Sequence, residues 1–132
     1  MSIGNFLIKF VVTMVLFVAL HVVASLVFVG STEAFMAVGR PMDAPEQTWG
    51  YLGHMLQTVG YVLLFGMVVK EKCWKAGAMF GFMVGLILGG TDLVYFGATY
   101  LPSESAQVFA PVSVVVSTIV GAVLGLMNKK EA

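Results

Sequence analysis

Residues 77–90 read GAMFGFMVGLILGG. Gly77, Gly81, Gly85 and Gly89 recur in strict steps of four, which places them on one stripe of a helix. In water each glycine would cost a helix about 1 kcal/mol relative to alanine. In lipid a smooth stripe lets another helix backbone approach closely, so that dispersion contacts and Cα–H···O bonds form. The stretch therefore predicts a membrane helix built for tight packing. Ser113, Ser117, Gly121 and Gly125 repeat the spacing later in the chain. The two small faces are expected to meet as an antiparallel pair, the alternative being the same stripe pairing with another copy.

Composition agrees. Of 132 residues, 59% are hydrophobic and 11% charged, against roughly 25% charged in a soluble domain. The net charge is zero, which gives no basic patch for nucleic acid, and no Lys/Arg cluster is large enough to suggest strong anionic-lipid recognition. Cys73 is the single cysteine, so there is no internal disulfide and no paired thiol for redox or zinc chemistry.

Four apolar stretches, at about 6–29, 49–69, 76–96 and 108–127, are long enough for a hydrocarbon core that takes about 20 helical residues. The first is about twice the length of a signal-peptide core and is read as a retained span. Lys9 sits near its start, where it can snorkel. Lys9, Lys70, Lys72, Lys75, Lys129 and Lys130 fall on one side of the membrane and Arg40 alone on the other, which places both termini in the cytoplasm. The expected fold is an all-α integral membrane four-helix bundle, one domain over residues 1–132. In the longest loop, Ser31 or Thr32 can cap a short surface helix that runs to Val38 and buries Phe35, Met36 and Val38. The competing reading is an extension of the first span. A last helix that begins at Ser103 or Ser105 makes Pro111 internal, which frees the carbonyl of Gln107 and predicts a kink.

Almost no charge falls within the spans. Asp92 follows Gly89, Gly90 and Thr91, and an intramembrane carboxylate is costly unless paired or functional. His21 and His54 fall at a similar depth in the outer half. Convergence of His21, His54 and Asp92 would suit a b-type haem between the histidines, a divalent metal, or proton relay and solute recognition. Three separate residues, each bonded to a neighbouring helix, is the plainer expectation. Met79 and Met83 resemble a thioether pair for copper(I), although methionine more often fills apolar gaps. No nucleophile triad or phosphate-binding glycine loop is present, so an enzyme is not expected.

The run GAMFGFMVGLILGG followed by TDLVYFGATYLP resembles a pattern in small four-span bacterial membrane proteins of unknown function. Gly77, Phe80, Gly81, Gly85, Gly89, Tyr100, Leu101 and Pro102 carry the likeness. The resemblance implies a four-helix membrane fold and no activity; the expected location is a bacterial inner membrane. The leading functional expectation is a packing partner, either a homo-oligomer or an accessory subunit of a membrane complex. The alternative is binding or transport of a small solute, metal or haem through His21, His54 and Asp92.

Overall fold

The computed structural model describes residues 2–41 and 43–128. Lys129 and Lys130, counted in the charge asymmetry, lie outside the described residues. The regular structure is helical: α1 (Ile3–Val27), α2 (Val29–Val38), α3 (Gln47–Val68), α4 (Trp74–Ala98) and α5 (Ser103–Met127). Among the described residues, α1, α3, α4 and α5 are long and apolar enough to cross a membrane. Helix is the form such segments must take, because in lipid the backbone has no water to satisfy its polar groups.

The helix ends follow local chemistry. The Ser2 hydroxyl caps α1 by accepting from the Asn5 N–H at 3.3 Å. The helix breaks at Phe28 (φ −108°, ψ 53°) and resumes at once as α2. The sequence suggested that Ser31 or Thr32 starts this second piece, but it starts at Val29. Instead of capping forwards, the Thr32 hydroxyl donates back to Phe28 O at 3.1 Å and Ser25 O at 3.3 Å. That backward bond is open to any threonine inside a helix, and here it stitches α2 to α1 across the break. The Gln47 amide, bonded to Arg40 O and Pro41 O, steadies the connection into α3. Pro111 lies inside α5, so the Gln107 carbonyl lacks its intrahelical partner.

The four long helices form a ring in which each packs on its sequence neighbour and α5 returns to α1. The α4/α5 contact is the most extensive and α3/α4 the sparsest. The reason is atomic. Gly77 lies against the backbone of Gly121 and Gly125, Gly81 against Ser117 and Thr118, Gly85 against Val114, and Gly89 against Ala110. A methyl group on Gly85 would lie 2.8 Å from Val114 Cα, inside any real carbon–carbon contact. Ser113 stands to one side of this line and bonds Asp92.

Where α3 stands off from α4, aromatic rings fill the space. Phe80 of α4 meets Tyr61 and Phe65 of α3 edge-on at 5.1 and 5.4 Å. Phe17 of α1 meets Tyr61 at 5.5 Å. Val116, Val120 and Leu124 of α5 complete the core. The Tyr61 hydroxyl donates to Ser117 O at 2.7 Å, which gives a buried phenol its partner. At the opposite end from the termini, Phe35 of α2 packs on Phe109 and Phe96, and the Ser105 hydroxyl donates to Ser31 O at 3.0 Å. Met36 and Val38 are 45% and 54% exposed within the protein, because α2 leans on the bundle by one edge only.

Candidate functional site

Each of the three polar residues singled out from the sequence has its own surroundings. Asp92 is half-buried on the α5-facing side of α4, one turn beyond Gly89, and accepts from the Ser113 hydroxyl at 2.5 Å. That bond spans the α4/α5 seam and gives one carboxylate oxygen a partner within the protein. His21 donates from Nδ1 to Phe17 O at 2.8 Å, since a carbonyl can only accept. The bond fixes the ring against its own helix. His54 is exposed on α3, and its backbone carbonyl accepts from the Thr58 hydroxyl at 2.8 Å. Among the described residues, no three His, Cys, Asp or Glu side chains are grouped to hold a metal ion.

The polar centre of the fold lies elsewhere, at the end where α1 begins and α5 finishes. Lys9 is 2% exposed. Rather than snorkelling, it turns inward, donates from Nζ to Asn128 Oδ1 and lies 5.0 Å from the centre of the Phe65 ring. The Asn128 amide donates in turn to Val69 O at 2.8 Å and Glu71 O at 3.3 Å. One side chain after α5 thus joins the start of α1 to the end of α3. Lys9 lies on the line of Thr13, Leu16, Phe17 and Leu20 that faces the core. This helical spacing was the available signal that Lys9 points inward, but its partner is 119 residues away. Deeper in the bundle, the hydroxyls of Thr13 and Ser117 are buried without a hydrogen-bond partner.

The third feature is on the outside. α3 buries Thr58, Tyr61, Val62 and Phe65. Turned away from that face are Gly50, Gly53, Gln57, Gly60, Leu64 and Met67, spaced by alternating steps of three and four. This is the a/d spacing of a helix that pairs with another helix. A methyl group on Gly53 or Gly60 would meet nothing within 4 Å. Leu64 and Met67 are 50% and 71% exposed. Gln57 is also exposed, and among the described residues its amide has no partner.

Comparison with known protein families, with curated proteins and with solved structures gave no match.

Proposed function

We propose that this protein is a membrane assembly partner, a four-span bundle with both termini in the cytoplasm whose free α3 face docks another transmembrane helix. The observation that carries this reading is the seam Gly50–Gly53–Gln57–Gly60–Leu64–Met67, open along its glycines and bearing an unpartnered amide at its middle. Glycines that face lipid weaken a helix and gain nothing, whereas glycines that face a helix allow backbone approach. An amide in hydrocarbon is costly until it finds a partner, and a glutamine can pair with its own copy because it both donates and accepts. A helix of a second copy or of a different membrane subunit satisfies the same chemistry.

The glycine stripe of α4 has a different role in this reading. It is consumed inside the chain against α5, where it makes a rigid pair that holds α3 in place through Tyr61, Phe65 and Phe80. The lysine distribution supports the orientation, and the resemblance noted above supports a bacterial inner membrane.

The test is the particle mass in mild detergent. The expected result is an oligomer, or a stoichiometric copurifying membrane subunit, that is lost on Gly60→Leu while helix content is retained. A stable monomer with no copurifying partner would overturn the proposal.

A further inference from the structure

At the end where α1 begins and α5 finishes, α3, α4 and the loop between them border a groove of about 380 Å³. Its walls are Val68, Val69, Ala76, Met79, Phe80 and Met83, with Lys70 and Glu71 contributing from the connecting loop. If α3 and α4 cross a membrane, an apolar groove on their outer side opens to lipid chains and not to water. The loop beside it reads KEKCWK over residues 70–75 and carries Lys70, Lys72 and Lys75 against Glu71. Lys70 donates from Nζ to Gly66 O at 2.9 Å, which holds its ammonium at the last turn of α3 with two further N–H donors available. Trp74, 52% exposed with Lys75 Nζ at 5.8 Å from its ring, stands where an indole marks a membrane–water boundary.

We infer that this groove is a binding site for one anionic glycerophospholipid, with an acyl chain between α3 and α4 and its phosphate at the Lys70–Lys75 loop. Charge selects the occupant. Three lysines against one glutamate favour a headgroup with net negative charge. A second copy inserted the same way would bring the same lysines face to face, so the groove does not suit self-association. The loop alone is too small a basic cluster to hold a lipid firmly, and the groove adds the apolar contact that makes the site selective. The inference rests on the membrane-spanning reading and is independent of the α3 seam.

The test is native mass spectrometry of the full chain in mild detergent, with phosphatidylglycerol, phosphatidylethanolamine or phosphatidylcholine of identical acyl chains added, and with inorganic phosphate as a separate probe. One phosphatidylglycerol per chain is expected to be retained in preference to the other two lipids, with no retention of inorganic phosphate. K70Q with K72Q should lower that preference about thirtyfold, and Glu71→Gln should raise it. Ala76→Leu should expel the lipid by filling the groove. Met79→Phe fills it from the exposed side and serves if the first variant does not fold. Equal retention of the three lipids, retention of phosphate alone, or full retention by the groove-filled variants would overturn the inference. The particle mass from the same spectra reads the α3 assembly separately, so either proposal can fail while the other stands.

Discussion

Lys9 and Asn128 show how a polar residue becomes buried in an apolar fold. Removing one partner of a buried hydrogen bond leaves the other unsatisfied, at about 1–3 kcal/mol. Replacing both with apolar groups of similar shape is close to neutral. Asn128→Leu is therefore expected to destabilise the bundle by about 2 kcal/mol, and Lys9→Met to restore only the part due to the Lys9 bond in the double variant, since Val69 O and Glu71 O still lose the Asn128 amide. Unfolding in a denaturing-detergent titration measures both, and additive losses would show that the two side chains act independently. A similar argument applies to Asp92, whose partner is a hydroxyl on the next helix. Ser113→Ala should cost about 1–3 kcal/mol in the same titration, whereas Ser103→Ala, on an exposed residue, should cost little.

Between elements, adjacent glycines on α4 have opposite roles. A methyl group on Gly89 would sit 2.7 Å from Ala110 O, while one on Gly90 would meet nothing within 4 Å. Gly89→Ala must push α5 away and is expected to destabilise the pair. Gly90→Ala has room and should be neutral or stabilising by up to about 1 kcal/mol, the helix-propensity difference. Circular dichroism during the same titration distinguishes them, and equal effects would mean that α4 and α5 do not pack through this stripe. Gly85→Leu, where the neighbour is backbone, is expected to disrupt folding outright. On α3 the opposite holds: Gln57→Leu should leave the monomer intact and weaken assembly by about 1 kcal/mol, roughly fivefold, read as the monomer fraction against protein-to-detergent ratio.

Across the whole molecule, stability is uneven. Only 6% of the α1 span is buried, against 39% of the α5 span, so α1 is held by its contacts with α3 and α5 and by the Lys9–Asn128 tie. Asn128→Leu should therefore speed hydrogen exchange in α1 while the α4 and α5 amides keep their protection. Uniform exchange across all four helices would show that the bundle opens as one unit. The helical class and the four spans follow from the sequence alone, because a run of about 20 apolar residues has no other way to satisfy its backbone in lipid. The sequence also placed Gly77, Gly81, Gly85 and Gly89 on one stripe, a matter of spacing along a single helix. Only the tertiary structure decided what each residue meets. Asn128 reaches Lys9 across 119 positions, Asp92 finds Ser113 while His21 turns back on its own helix, and the outward face of α3 is left open. Those outcomes depend on which helices are neighbours and how each is rotated, and periodicity within one segment does not specify the rotation of another.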